Sequence, residues 1–390
     1  MAVTSRAVKG SNLTWDELDA NFSGDTTKQF SVAAATSQTQ AIAGSQLFGF
    51  RNKVINAGMV IDQRNSGVEI NPAVSSAYYL DRWQATLTTA SKFKIGQNAG
   101  AVTPPVGFSK YMGMTSLSSY SVISSDIFLV KQPVEGYAIA DLAFGTSGAK
   151  TVTVSFWVYS SITGSHSFAL VGGSSSGNVR SYPQAYTISA ANTWEFKTIT
   201  IPGDTGATAY DSSTGVGLQL RFGLGIGSGN TGTSGSWSTN NWQGSSGCVS
   251  IVGTSGATFY LTGVQIEAGP LATTFEQRPY GLELTLCQRY YETSGTNTYL
   301  QAAAAGFSSG SYTLGAINNF FQSYKVVKRA APTVRVWRAG TANVINVAGS
   351  APAVSGISAT ISQFSFIVAA AGSGPNQSTN DFDWDASSEL

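Results

Sequence analysis

The chain has 390 residues, with 22 Lys and Arg against 21 Asp and Glu, one His and a formal net charge of +1. Charged residues make up 11% of it, less than half the roughly 25% usual in soluble domains. That balance offers no basic excess for nucleic-acid phosphates or an anionic membrane surface, and no run of about 18 apolar residues is present to span a bilayer. Disorder is also excluded, because 42% of the residues are hydrophobic and Tyr, Phe and Trp are plentiful. The 43 glycines, with abundant Ser and Thr, fit all-β domains rich in turns. The length suggests roughly two or three domains. The start, MAVTSRAVKG, lacks the apolar core of a signal peptide, so synthesis in a cytoplasm and release by lysis are expected.

In chain order, the first element is a helix. Thr14 is placed to cap it and Glu17 to reach back, forming a capping box, with Leu13 and Leu18 as a hydrophobic staple. Trp15, Leu18 and Phe22 share one face at i, i+3 and i+7. A helix of about two or three turns is not stable alone in water, so this stripe needs a partner. The partner is the chain's own β domain, sister chains or a socket on another protein. Residues 23–46 are small and polar, too poor in apolar side chains for one chain to build a core. They read as a stalk of three chains wound together or as a flexible linker.

From residue 47 to 280 the pattern is β. Residues 151–159, TVTVSFWVY, alternate Val152, Val154, Phe156 and Val158 against Thr, Ser, Trp157 and Tyr159. Residues 216–226, VGLQLRFGLGI, put Val216, Leu218, Leu220, Phe222, Leu224 and Ile226 on one face, with Gly, Gln and Arg on the other. Residues 194–201 and 259–267 form further strands. In the latter, Phe259 and Leu261 are followed by Val264 and Ile266 one residue out of phase, which predicts a β-bulge at Gly263. Gly269-Pro270 ends that strand, because proline cannot donate to a ladder. Strands separated by Gly- and Ser-rich turns argue a sandwich or jelly roll. A helix-like run then places Leu282, Leu286 and Tyr290 on one face, and short strands follow at 299–303, 312–317, 334–337, 364–368 and 382–384. Residues 281–390 read as a small β-sandwich tip.

Several strings are recognisable in order. GVQIEAG, FEQRPYG and LCQRYYE, between residues 263 and 292, resemble the end of the carbohydrate-binding-module-like domain of bacteriophage tail fibre proteins. INAGMVIDQRNSG at 55–67 resembles that domain's first strand, and YYLDRW at 78–83 a segment after it. LTWDELDANF at 13–22 is similar to the N-terminal segment of many tail fibres, and DFDWDASSEL at the end to the closing strand of fibre tips. The resemblance implies a mainly β protein in three parts. These are an N-terminal virion-attachment helix and stalk (1–46), a central jelly-roll sandwich (47–280) and a C-terminal tip (281–390). It also implies an intertwined homotrimer, with Trp15, Leu18 and Phe22 at the attachment or trimer contact and the N-terminus on a tail or baseplate protein. The protein is then expected in the virion tail, recognising host-cell surface polysaccharide.

The residues themselves offer little for catalysis. His166 lies in a Gly-Ser-rich stretch and reads as a solvated turn residue; no second His completes a zinc site or triad, and no cofactor is implied. Glycoside hydrolysis needs two carboxylates about 5–10 Å apart, a spacing that sequence does not give. Asp81 beside Arg82 reads as a structural ion pair. Cys248 and Cys287 match no metal or redox spacing and read as buried thiols, with a disulfide left open.

Binding has better material. Residues 228–247, SGNTGTSGSWSTNNWQGSSG, form a long unstructured loop in which Trp237 and Trp242 flank Asn240 and Asn241. Sugar C–H faces stack on aromatic rings and hydroxyls bond amides, so these four are the glycan-binding candidates; the alternative is that one Trp plugs the sandwich end. Trp157 with Tyr159, and Trp337 with Arg335 and Arg338, are further platforms. The reading is a tail fibre that binds host glycan without cleaving it. The alternatives are a tailspike depolymerase and a purely structural virion protein.

Overall fold

The computed structural model describes residues 50–73, 75–173, 179–206, 209–294, 318–338, 341–342, 354–368 and 383–390. The expected helix with Trp15, Leu18 and Phe22, the stalk, and the strands at 299–303 and 312–317 lie outside the described residues. Phe50–Leu390 forms one compact unit.

That unit is built on a β-sandwich. One sheet has six strands in the order β1-β2-β5-β10-β7-β8: β1 (Ala77–Leu80), β2 (Trp83–Leu87), β5 (Ile127–Glu135), β10 (Val216–Ile226), β7 (Gly164–Gly173) and β8 (Val179–Ile188). The facing sheet has five, β3-β4-β13-β6-β9: β3 (Phe93–Gln97), β4 (Met112–Ser116), β13 (Thr258–Ala268), β6 (Val152–Ser160) and β9 (Thr193–Ile201). Every pairing in the two sheets is antiparallel. The core between them is sealed by the inward side chains of the alternating strands. Val152, Val154, Phe156 and Val158 of β6 meet Leu218, Leu220, Phe222 and Leu224 of β10. Phe156 and Phe168 pack on Phe222, their centroids 5.1 and 5.2 Å away. Each such buried side chain contributes roughly 1.5–3 kcal/mol before entropy is charged.

Local departures from regular alternation have identifiable causes. The register of β13 on β6 shifts between Thr262 and Gln265, and Gly263 holds φ +62° there. A Cβ on Gly263 would lie 2.5 Å from the Phe108 ring. The bulge returns Val264 and Ile266 to the core while Gln265 and Glu267 stay on the outer face. A second shift, between Gly223 and Gly225 of β10, takes Ile226 out of the core, so that strand's apolar face ends at Leu224. Residues 55–67, expected as a strand, form turns instead. Short-range polar bonds outcompete a ladder here. Asn56 bonds Ile61 through both side-chain atoms and donates to the Asp81 carbonyl, while Asp62 accepts from the Asn65 and Gly67 N–H groups.

After the sandwich, α1 (Tyr280–Gln288) buries Glu283 and Cys287, whereas Leu282 and Leu286 remain partly exposed. Within the helix the buried stripe is therefore one residue away from the expected one, while Tyr290, just beyond it, is buried as expected. The cause is polar: Glu283 accepts from the Asn56 N–H and faces Arg278 at 3.5 Å. The C-terminal strands form two small sheets, β14-β20-β16-β17 and β15-β19-β18. Their ranges are β14 (Tyr291–Thr293), β15 (Asn318–Ser323), β16 (Thr333–Arg338), β17 (Thr341–Ala342), β18 (Val354–Ala359), β19 (Gln363–Val368) and β20 (Asp383–Ser387). They share a separate small core of Tyr324, Val334, Val336, Phe364, Phe366, Trp384 and Ala386. Polar clamps fasten this part to the sandwich. Arg82 is buried against Glu389 and lies 3.6 Å over the Tyr290 ring. Arg64 reaches the same carboxylate at 2.7 Å, and Arg289 pairs with Glu135 at 2.7 Å.

Candidate functional site

The outer face of the six-stranded sheet carries a row of polar side chains. Cross-strand register lines up Gln84, Lys131, Arg221, Ala169 and Pro183 in one row across β2, β5, β10, β7 and β8. Paired residues of an antiparallel ladder share a face, so the whole row looks outward. On β10 the apolar set points to the core and Gln219 and Arg221 point away from it.

A tethered loop covers one side of this face. The segment expected to lack structure is pinned at several points. β11 (Thr231–Gly232) pairs in parallel with β12 (Gly244–Ser245), and Ser238 exchanges backbone bonds with Ser181 of β8 at 2.8 and 3.0 Å. Ser181 Oγ donates to the Asn240 carbonyl at 2.6 Å, and Gly235 N–H donates to Pro183 at 2.9 Å. Small residues permit this close approach: a Cβ on Gly232 would meet the Trp242 ring at 2.3 Å.

The loop and the sheet meet at Arg221, which is only 6% exposed. Its Nη1 donates to Asn241 Oδ1 at 2.9 Å and to Gln243 Oε1 at 2.8 Å, and its Nε and Nη2 donate to Gln219 Oε1. These partners are neutral amides. Burial pushes the Arg221 pKa down to about 10. Burial, and then the charge of Arg221, push Lys131 down to about 8. Two residues along β10 from Arg221, a cleft of about 160 Å³ opens between Gly223, Ser167 and the Ser245–Cys248 edge of the loop.

Of the candidates read from sequence, Asn240, Asn241 and Trp242 lie in this loop, with Asn240 and Asn241 exposed and Trp242 half-buried. Trp237 faces elsewhere. It packs edge-on to Phe144 and Tyr182 at 5.8 and 5.4 Å and donates its ring N–H to the Pro202 carbonyl at 2.7 Å, closing the end of the sandwich core. Sequence reasoning noted Gln243 in the loop but did not single out Arg221, Lys131 or Gln219 as site residues. A usable signal was present, because Lys131 and Arg221 are the sole cations of two largely apolar strands.

Other expected features resolve differently. His166 is buried in β7, bonded at 2.9 Å to the Ile162 carbonyl and stacked on Tyr186, so it is a core residue rather than a solvated turn. Burial pushes its pKa below the usual range. Asp81 is not the partner of Arg82. It accepts from Gln63 through both carboxylate oxygens at 2.7 Å, and burial pushes its pKa up to about 6 against the pull of Arg64. Cys287 is buried and Cys248 half-buried, and both are free thiols. Tyr159 stacks on Tyr260 at 5.0 Å on the outer face of the five-stranded sheet, and Trp157 packs on Phe196. Arg335 pairs with Asp385 at 2.9 Å. Among the described residues, no group of three or more His, Cys, Asp or Glu is placed to hold a metal ion.

No protein-family model and no curated protein matches the chain. Among solved structures, the enzymatically active domain of tailspike protein 4 of bacteriophage CBA120 is similar, at 13% identity and a TM-score of 0.31. The match covers 56% of this chain and 21% of that one, so the chain spans about a fifth of that domain. The carbohydrate-binding module TmCBM61, in complex with β-1,4-galactotriose, is similar at 13% identity and a TM-score of 0.27, covering 56% of this chain and all 100% of that one. A family 11 carbohydrate-binding module from Clostridium thermocellum, in complex with a β-1,3-1,4-mixed-linked tetrasaccharide, gives 14% identity and a TM-score of 0.26, with 53% and 98% covered. With identities and scores this low, the functional reading rests on the chain's own residues.

Proposed function

We propose that the chain is a non-catalytic glycan-binding protein and that it serves as a phage tail fibre, attaching the virion to host-cell surface polysaccharide. The observation that carries the glycan reading is the outer face of the six-stranded sheet. There a pinned loop brings the amides of Asn241 and Gln243 onto Arg221, and the same loop carries exposed Asn240 and the half-buried Trp242. Rings to stack on sugar C–H faces and convergent amides to bond hydroxyls, held by a rigid sheet, are what a sugar site needs. The virion placement is supported by the ordered strings that resemble tail fibres, from LTWDELDANF to DFDWDASSEL. In a homotrimer docked through its N-terminus on the tail or baseplate, three weak sites would gain avidity through raised effective concentration.

The test is to incubate the purified full chain with host cells, scoring phage adsorption and soluble reducing sugar together. Blocked adsorption without sugar release is the expected result. Sugar release would identify a depolymerase, and neither effect would leave a structural part. Asn241→Ala with Trp242→Ala should weaken retention on host polysaccharide in protein that remains folded, as shown by a cooperative unfolding transition; unaltered retention would move the site off this face.

A further inference from the structure

The two cations of the sheet face differ from most of the described arginines; Arg51 and Arg329 also lack a carboxylate, but they bond backbone carbonyls. Arg64, Arg82, Arg180, Arg278, Arg289 and Arg335 each face a carboxylate within 4 Å. Arg221 is as buried as most of them, yet it meets only the amide oxygens of Gln219, Asn241 and Gln243. Its directly opposite cross-strand partner is Lys131, a second cation. Like charges directly opposite on a sheet are unfavourable, and a buried guanidinium without a counter-charge is more so. Among the described residues, neither group forms an ion pair with a carboxylate, and the charged neighbour that lowers Lys131 is Arg221. The arrangement is orderly nonetheless. Three amide oxygens aim the guanidinium, and Arg221 has five N–H groups of which the amides occupy four, leaving one of its Nη2 hydrogens to a further acceptor. The half-buried Lys131 sits on the open side, away from the loop that Arg221 bonds.

We propose that this pair is an oxyanion subsite and that the glycan bound here carries an acidic group, the carboxylate of a uronic-type sugar or a sulfate ester. A bound oxyanion would bridge the Lys131 ammonium and the remaining guanidinium N–H, supplying the counter-charge that the fold omits. Hydroxyls of the same sugar would meet the Asn241 and Gln243 amides at the loop edge, where Trp242 offers its ring. The neutral chain gains selectivity for an acidic polymer locally, without the long-range basic field that would also attract nucleic acid. This inference rests on the glycan reading of the same face but is tested separately from it.

The experiment measures acetylation of each lysine of the full-length protein by an amine-reactive ester at pH 8, read by peptide mass spectrometry. The additives are sodium glucuronate, glucose 6-sulfate, glucose, or sodium chloride at matched ionic strength. Glucuronate or glucose 6-sulfate should slow Lys131 about threefold, the factor expected when a ligand stands at about twice its Kd. Glucose and chloride should not slow it, and Lys92 and Lys150 should react alike throughout. The stronger of the two acidic additives identifies the anion. Asn241→Ala with Gln243→Ala, which frees the guanidinium from its aim without removing a charge, should reduce the protection. Equal Lys131 rates in all four additives overturn the proposal. A second arm compares retention on an acidic polysaccharide, polygalacturonate, with its carboxyl-reduced neutral form. Preference for the acidic form that disappears in Lys131→Gln supports the proposal. Equal retention of both forms, with Lys131 unprotected, overturns the acidic subsite and leaves glycan binding standing. Protection of Lys131 with no polysaccharide retained overturns the glycan reading and the sugar assignment together.

Discussion

Replacing Lys131 by Met should make the protein more stable while removing one of its two anion-binding charges. The size of the gain follows from the sheet face. The ordinary lysine value of 10.5 falls to about 8 in the fold, first from burial and then from Arg221 opposite. At about 1.36 kcal/mol per tenfold change in proton affinity, the fall from 10.5 to about 8 gives an upper figure of about 3.4 kcal/mol. Lys131 is only half-buried, so solvent screening reduces this to roughly 1–2 kcal/mol. The sign is fixed by linkage. The folded-state value lies below the unfolded one, so the unfolded chain binds more protons between pH 8 and 10.5, and the charge penalty is full below about pH 8. It fades as pH rises from about 8 to 10.5, above which lysine is neutral in both states. The assay is urea unfolding followed by tryptophan fluorescence at pH 7 and at pH 10.5, at one ionic strength. Lys131→Met should exceed the parent at pH 7, and the difference should shrink strongly at pH 10.5. No gain at pH 7 would refute the charge argument. A gain of equal size at both pH values would assign it to methionine packing instead.

Three further outcomes follow from the packing. Trp237→Ala should lower stability by roughly 1.5–2.5 kcal/mol, about half the cost for a fully buried Trp, because it unplugs the Phe144 and Tyr182 contacts. Retention of glycan on the remaining folded protein should persist, and its loss would bring Trp237 into the site. Gly263→Ala combines a left-handed φ with a 2.5 Å approach to Phe108, and should cost roughly 2–4 kcal/mol in urea unfolding; a neutral effect would contradict the bulge geometry. Glu389→Gln leaves buried Arg82 and its neighbour Arg64 without their carboxylate. It should cost about 3–5 kcal/mol, with faster amide exchange in β14 and β20; unchanged exchange there would show that the clamp does not hold the C-terminal strands.

Much of the sandwich was legible because its strands bury one face. Strict alternation in β6 and β10, and the phase slip at Gly263, reflect a period of two acting on a dry core. What escaped was set by polar bonds between segments far apart in sequence. Glu283 rather than Leu282 lies on the buried side of α1 because Asn56 and Arg278 await it. Residues 55–67 turn instead of extending because Asn56 and Asp62 satisfy their own neighbourhood. In the site, the loop composition drew attention to Trp237 and Trp242 equally, yet only packing distinguishes a core plug from a surface ring. The opposition of Lys131 and Arg221 exists only once β5 and β10 pair.

The recognisable strings and the binding face also separate in the structure. FEQRPYG acts as a clamp: Glu276 accepts from the Arg51 and Asn52 N–H groups at 2.6 and 3.1 Å, and Arg278 donates to the Val54 carbonyl at 3.0 Å. Asn56 of INAGMVIDQRNSG and Asp81 of YYLDRW are joined through the Asp81 carbonyl at 2.9 Å. These strings are tied to each other because they close the sandwich where the chain enters and leaves it. The face with Lys131 and Arg221 draws on none of them. Its polar partners come from β10 and from a loop whose glycines and serines let it lie close to the sheet. The physical demands on the two regions are opposite. The clamp satisfies its buried charges internally and so stabilises the fold, whereas the sheet face leaves two cations without a carboxylate partner among the described residues. That deficit lowers stability in the free protein and becomes binding energy when an anion arrives.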